Sequence, residues 1–533
     1  MRSDLKALDF DAIQRLLEQR TATPYGADAA RALEPAPDLA VARRMQDAVS
    51  AARHTLDAGQ APVLAALPDI RAALRQAGAR GAALNPNALQ HILQVLQAAA
   101  ALVPWVHQCP ALYPGTSADL EPPGELVARL GRTVHESGRL RDDASPALVT
   151  LHTEQQELRR EAESIVRARV ARKDLAGLVP EPDRVVWQHD RALIKVRAEA
   201  AGSLKGVRRG SAAGGRDVLM EPLEAVGVNN RLEVLAGKVG AEQHRVLREV
   251  SGEVREQAEP LERLIAALTW VDLALAAGRL SADMNAHAPR LAAECMVDLR
   301  AAYHPLLMQQ FADGSLESLV PLTLRLDPAR SILMLTGPNT GGKTVALKTL
   351  GLLVTMAHCG LHIPAEGDCA IGAYQQVMVD VGDRQSVYHQ LSTFAGHVAV
   401  LKRILEAADA HTLVLLDELG TGTDPEEGAA LAMAVLDELA GRGVQGIVNT
   451  HLAALKDHAA RHPPLCNACM LFDRATLRPT YHLKIGEPGV SLGLTIAEHG
   501  GLPPAVVQRA REYLKVLTGP PPPGGPDRVA SRG

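Results

Sequence analysis

Gly337, Pro338, Asn339, Thr340, Gly341, Gly342, Lys343 and Thr344 stand in the order Gly-x-x-x-x-Gly-Lys-Thr. Glycines at both ends of such a run let backbone N–H groups curl into a cradle for anions, and a helix starting there adds its positive terminus. The run follows the apolar stretch 331–336 and precedes the helix-favouring stretch 345–357. That is the strand–loop–helix setting in which the pattern holds a nucleoside triphosphate. Lys343 is expected to reach the β- and γ-phosphates, and Thr344 to ligate magnesium through its hydroxyl. The competing reading is a glycine-rich turn with no ligand, and the next motif weighs against it.

Leu413, Val414, Leu415 and Leu416 run into Asp417 and Glu418. An apolar strand that ends in an acid presents the carboxylate at the sheet's C-terminal edge, where ligands of α/β proteins bind. Asp417 is expected to hold magnesium and Glu418 to polarise an attacking water. Paired acids after a strand can also simply open a helix, but the glycine-rich loop lies upstream in one uninterrupted cassette, as ATP hydrolysis requires.

Three further elements follow the same order. Ser392 lies in Leu391-Ser392-Thr393-Phe394 before a helix-like run. Thr423 and Asp424 lie in Gly420-Thr421-Gly422-Thr423-Asp424-Pro425, and His451 follows Thr450 after a third apolar run. Singly these are an ordinary helix cap, a turn and a loop histidine. Together they predict a site completed across a dimer. Ser392, Thr423 and Asp424 act in trans, and His451 senses the γ-phosphate. ATP and Mg2+ are the expected cofactors.

The elements that must position these groups are legible in outline. The apolar runs 331–336, 412–416 and 444–449 are separated by helix-like segments, as buried parallel strands of an α/β domain are. Residues 502–517 read as a final helix. Residues 1–120 read as short amphipathic helices punctuated by proline. A helix-favouring stretch runs from about 125 to 173, with Leu151, Leu158 and Ile165 recurring every seven residues. Short strands are expected around Val186 and Ile194, then a glycine-rich loop over 202–215. A second helical stretch begins near Asn229, with Leu232, Val239 and Val246 again at seven, Val250 and Val254 beyond, and a break or kink at Pro260. The pattern suits an antiparallel arm with a β-rich tip, and equally a plain helical bundle.

The chain has 533 residues, enough for three or four domains, with 47% hydrophobic and 22% charged residues. Its net charge of -5 confines any nucleic-acid contact to local basic patches. The six cysteines are scattered, and Cys466 and Cys469 form a lone CxxC, half of a zinc site. No disulfide framework or signal-peptide pattern is visible, so a cytoplasmic setting is expected. No uncharged apolar run reaches the ~18 residues of a membrane span, and no membrane partner is expected.

The segments 336–344, 391–394, 415–425 and 449–451 resemble the MutS family of ABC-type ATPases. The likeness extends to its second, recombination-suppressor branch. Thr344 stands where the first branch uses serine. Glu221-Pro222 with Asn229-Asn230-Arg231, Asn467-Ala468 with Phe472-Asp473, and Ile485-Gly486-Glu487-Pro488-Gly489 also resemble the second branch. The resemblance covers the whole chain and is most specific over 303–510. It implies a multidomain α and α/β fold, with a helical core, long lever helices and a small clamp, followed by an ABC-type P-loop ATPase domain. The implied division is an N-terminal helical core over 1–120, a lever over 121–180, a clamp over 181–225 and a returning lever over 226–290. The ATPase domain with a C-terminal dimerisation helix then covers 291–518, and a disordered tail 519–533.

The resemblance also implies a homodimer that encloses a duplex. Lys205, Arg208, Arg209 and Arg216, on the glycine-rich loop, would touch phosphates without reading bases; the same four cations could equally be a solvated turn. Two departures bear on function. Mismatch-repair members wedge a Phe-x-Glu motif into DNA, and none of the four phenylalanines (Phe10, Phe311, Phe394, Phe472) has Glu two positions on. Members of this branch usually carry an Smr nuclease-like domain, and this sequence stops at Gly533, which leaves endonuclease activity without a visible site. The expected function is a dimeric ATPase on branched or structured DNA that suppresses homologous recombination. The alternative is an ATP-driven sensor that grips and splits collided ribosomes. A transporter lacks its membrane spans, and an SMC protein would separate the nucleotide motifs by a long coiled coil.

Overall fold

A computed structural model describes residues 2–172, 175, 178–182, 184–211, 216–337, 341–381, 393–473, 478–489 and 493–518. The chain separates into two compact units. One comprises Met1–Thr21, Ala27–Ala61 and Leu273–Gly533, the other Ala22–Gly26 and Pro62–Asp272. The expected tail 519–533 lies outside the described residues.

In the second of these units the helix-favouring stretch from 125 is not continuous. A helix Gly124–Thr133 ends at Val134, which bridges to Leu140, and the chain turns at Gly138 with φ +74. A new helix Pro146–Val170 starts where Ser145 Oγ accepts from the Leu148 N–H at 3.1 Å, with proline in the first turn. The partner helix Leu223–Glu256 runs for 34 residues and starts earlier than its heptad pattern suggests. Pro260 does not kink it. The helix ends, and Pro260 falls in the first turn of the next helix, Ala258–Asp283, a position that proline tolerates.

Between the two long helices lie β1 (Val186–Gln188), β2 (Arg191–Arg197), β3 (Gly206–Ser211) and β4 (Asp217–Pro222). They form one antiparallel sheet in the order β1-β2-β4-β3. Leu158, Ala162 and Val166 of one helix, Val228, Leu232 and Leu235 of the other, and Ile194, Val196, Val218 and Met220 of the sheet share one core. Fully burying each large aliphatic side chain contributes about 1.5–3 kcal/mol. The expected loop over 202–215 contains the edge strand β3, which places Arg208 and Arg209 on a strand. The cause is non-local: β3 pairs with β4 so closely that a Cβ on Gly206 would sit 2.3 Å from the Glu221 carbonyl oxygen.

The other unit holds β5 (Arg290–Leu291), β6 (Val297–Ala302), β7 (Leu322–Leu326), β8 (Ile332–Thr336) and β9 (Ala370–Ile371). It continues through β10 (Gln376–Asp380), β11 (Thr412–Leu416), β12 (Gln445–Asn449), β13 (Leu465–Asp473) and β14 (Arg478–Ile485). One sheet has the order β5-β9-β6-β7. The larger has β10-β11-β12-β8-β13-β14, parallel throughout except for the last pair. β8, β11 and β12 are buried along their whole length, which explains their continuous apolar sequence. Val414 and Leu416 face a core with Leu436 and Leu439 of helix Pro425–Gly441 and Leu401 and Ile404 of helix Thr393–Ala407. Leu415 points the other way, toward Gly351 of helix Lys343–His358, where Leu8 also arrives. Leu8, and Met45 at Gly360, therefore pack on this sheet's unit, to which the segments Met1–Thr21 and Ala27–Ala61 belong. The parallel strands end at one edge with Asp380, Leu416, Asn449 and Thr336, and that edge carries the candidate site.

Two helices, Pro86–Gln108 and Ala258–Asp283, are long and apolar enough to cross a membrane by composition. Of the latter's most apolar window, 72% is buried inside the protein, as in a core helix.

Candidate nucleotide-hydrolysing site

Pro338, Asn339 and Thr340 lie outside the described residues, as does Ser392. The flanks of the loop are defined. Gly337 has φ +136 and Gly342 φ +86, both in the range that favours glycine. Gly341 is buried, and Gly342 opens the helix Lys343–His358. Lys343 is only 3% exposed. Its Nζ donates to the Gly337 carbonyl at 2.5 Å and lies 3.4 Å from both ring nitrogens of His451. Burial pushes the Lys343 ammonium down to about 8, with Asp417 and Glu418 opposing the shift. Burial and then Lys343 likewise lower the His451 imidazole. Both shifts come first from burial, and a bound polyanion would oppose them.

Thr344 is exposed on the first turn of that helix, and its hydroxyl donates to Asp417 Oδ2 at 2.7 Å. The other carboxylate oxygen, Oδ1, accepts from Asn449 Nδ2 at 2.9 Å. Glu418 is exposed, has φ +55 and stands 3.8 Å from His451 Nε2. A non-glycine residue in the left-handed region is uncommon, and such residues cluster at functional sites. The structure thus brings together Lys343, Thr344, Asp417, Glu418 and His451 from β8, β11, β12 and the segments that follow them.

Thr423 and Asp424 lie in the loop after the acid pair. Asp424 is exposed, and its Oδ1 accepts from the N–H groups of Glu426 (2.9 Å) and Glu427 (3.4 Å), capping the helix Pro425–Gly441. Of the basic residues singled out in the other unit, Lys205, Arg208, Arg209 and Arg216 are all exposed. Arg208 donates to Ser211 Oγ at 3.1 Å. Arg209 is committed to a structural pair: its Nε donates at 2.6 Å to Glu221, which is fully buried. Arg191 (2.6 Å) and Asn229 (2.8 Å) complete that hub. Burial pushes the Glu221 carboxyl up, and these three donors more than offset it, holding it below the usual range. Arg231 joins Glu161 across the two long helices at 2.8 Å. The Glu221, Asn229 and Arg231 motif is therefore a brace that holds the small sheet on its helices.

Sequence reasoning missed three neighbours of the site. Tyr481, on β14 with φ +59, lies so close to Gly342 that a Cβ there would meet its ring at 3.0 Å. Asp380 accepts from His397 Nδ1 at 2.8 Å, and its carbonyl accepts from the Asp417 N–H at 2.9 Å. Lys456 Nζ donates to the Gly489 carbonyl at 2.7 Å. Only the glycine–proline motif over 485–489 hinted at any of them.

A loop of this pattern after β8, at the carboxyl edge of parallel strands, with an acid at the end of β11 two strands away across β12, is the arrangement expected of the P-loop class. Residues 333–518 match the family described as MutS domain V. The chain is 37% identical over 512 residues to the endonuclease MutS2 of Symbiobacterium thermophilum, covering 96% of this chain and 63% of that protein. It is 36% identical over 518 residues to the endonuclease MutS2 of Thermus thermophilus, covering 96% of this chain and 66% of that protein. The chain belongs to the MutS family, on its MutS2 branch. It spans just under two thirds of the length of these curated relatives.

Proposed function

We propose that this protein is a homodimeric, magnesium-dependent ATPase that grips branched or structured DNA and thereby restrains homologous recombination. The observation that carries the reading is the convergence of Lys343, Thr344, Asp417, Glu418 and His451 on one sheet edge. Lys343 exchanges its Gly337 carbonyl contact for the phosphates. Thr344 and Asp417 offer a hydroxyl and a carboxylate side by side, the hard-oxygen donors that suit Mg2+. When bound, Mg2+ neutralises charge on the β- and γ-phosphates. Glu418 orients the water for in-line attack, and His451, between Lys343 and Glu418, contacts the γ-phosphate side. The Tyr481 ring beside Gly342 offers a stacking face for the base. Ser392, Thr423 and Asp424 complete the site of the other subunit.

The two long helices and the small sheet serve as levers and clamp, with Lys205, Arg208 and Arg216 meeting phosphates. The reading covers ATP hydrolysis alone. The test compares Mg2+-dependent ATP turnover and four-way-junction binding in wild type and Lys343→Ala. Turnover lost with the fold intact supports the reading, and normal turnover in Lys343→Ala overturns it.

A further inference from the structure

Asn449 is the last residue of β12, fully buried, and registers with Leu335 of β8. One step earlier, Val448 registers with Leu416 of β11. In adjacent parallel strands, residues at matching levels point to the same face, so the side chain of residue 449 falls beside that of Asp417. Its Nδ2 donates to Asp417 Oδ1 at 2.9 Å. Its Oδ1 is buried and accepts no hydrogen bond among the described residues. An amide left half-satisfied in a buried position is costly. Only its N–H donor meets a charged partner here, and charge-assisted bonds of that kind are the stronger ones.

The two residues after Asn449 act on the same loop. The Asn449 carbonyl accepts from the Leu419 N–H at 3.1 Å, and Thr450 Oγ1 donates to the Leu419 carbonyl at 3.3 Å. His451 faces Glu418 at 3.8 Å. Three consecutive residues thus hold Asp417 by its side chain, Leu419 by its backbone, and the strained Glu418 between them. Asp417 has two named donors. Thr344 is itself an expected metal ligand, whereas an amide nitrogen cannot ligate magnesium. Asn449 is therefore the donor that fixes the carboxylate independently of the metal.

We infer that Asn449 is a positioning residue that orients Asp417 for the divalent cation, an assignment that rests on the nucleotide-hydrolysing reading above. Groups hydrogen-bonded to a metal ligand typically change metal affinity by roughly 10–100-fold when removed. The experiment measures Mn2+ binding by electron paramagnetic resonance on wild type, Asn449→Ala and Asn449→Ser in the presence of ADP. Mant-ADP affinity in EDTA and the thermal midpoint report whether the site remains folded. Asn449→Ala is expected to weaken Mn2+ binding by about tenfold or more, with metal-free mant-ADP affinity close to wild type. If Asn449→Ala fails to fold, Asn449→Ser, too short to reach Asp417, carries the same expectation. Unchanged Mn2+ affinity in a variant that still binds mant-ADP overturns the assignment. A wild type that binds mant-ADP but gains no Mn2+ site removes the magnesium reading beneath it, and this assignment with it.

Discussion

Thr344 and Asp417, 73 positions apart in sequence, are joined by a 2.7 Å hydrogen bond. The bond spans the start of one helix and the end of β11, and closes the gap between the loop that would hold phosphates and the acid pair that would serve hydrolysis. Each residue is placed by backbone geometry, Thr344 by the left-handed Gly342 that opens its helix and Asp417 by the Asp380 carbonyl on the adjacent strand.

The small sheet gives a prediction about DNA. Lys205, Arg208, Arg209 and Arg216 are all exposed, but Arg209 is also paired with the buried Glu221. Changing Lys205, Arg208 and Arg216 to Ala should flatten the slope of log K against log salt for four-way-junction binding by about 2.7 per protomer, at roughly 0.9 per phosphate contact. Basal ATP turnover should persist. Arg209→Ala should instead cost about 2 kcal/mol of stability, by removing one charge-assisted bond to a buried carboxylate. Salt titrations and thermal unfolding separate the two effects. An unchanged slope in the triple variant would place the binding surface elsewhere.

The loop after the acid pair gives a second. Asp424 caps its own helix, and Asn caps equally well. Asp424→Asn should therefore keep the thermal midpoint and still lose turnover, if the charge serves the other subunit. Mixed dimers of Lys343→Ala with Ser392→Arg subunits should regain one competent site. Equal inactivity of mixed and pure dimers would reduce Ser392 to a cap of its own helix, and wild-type turnover by Asp424→Asn would do the same for Asp424.

Much of the site was legible because its motifs are local. A glycine-rich loop between an apolar strand and a helix, and an acid pair after another strand, carry their geometry in a few adjacent residues. What was not legible depends on pairing between distant segments. Arg208 and Arg209 looked like loop cations because nothing near them shows that β3 pairs with β4, or that Arg209 reaches the buried Glu221. Tyr481 reaches Gly342 only because β14 returns antiparallel along β13. Helices within 2–61 showed amphipathic faces, and a face reveals that it is buried without revealing its partner; Leu8 meets Gly351. The break between Thr133 and Pro146 was hidden by strong helix-forming composition on both sides.

Acid stability gives a third prediction. His304 and His362 are buried, and burial pushes both imidazoles down to about 4. His362 is further held between the hydroxyls of Ser50 and Ser281, each at 2.8 Å. Unfolded, both would take up a proton near the ordinary value of 6.5. Below that pH the unfolded chain binds more protons than the folded one, so stability falls with pH and the loss is complete near pH 4. Each histidine contributes on the order of 3 kcal/mol across that window. Denaturant midpoints between pH 7.5 and 5 should fall, and His362→Gln should make the fall shallower. A midpoint that does not change over that range would contradict these burial assignments.

The central claim is that Glu418 activates water at an ATP site built around Lys343, Thr344 and Asp417. Its most direct test is single-turnover hydrolysis of radiolabelled ATP, with Mg2+, by wild type and Glu418→Gln, alongside ATP binding by filter retention. The account predicts that Glu418→Gln retains ATP and hydrolyses it at least roughly 100-fold more slowly, the usual cost of losing one catalytic contact. Hydrolysis by Glu418→Gln at the wild-type rate would contradict it.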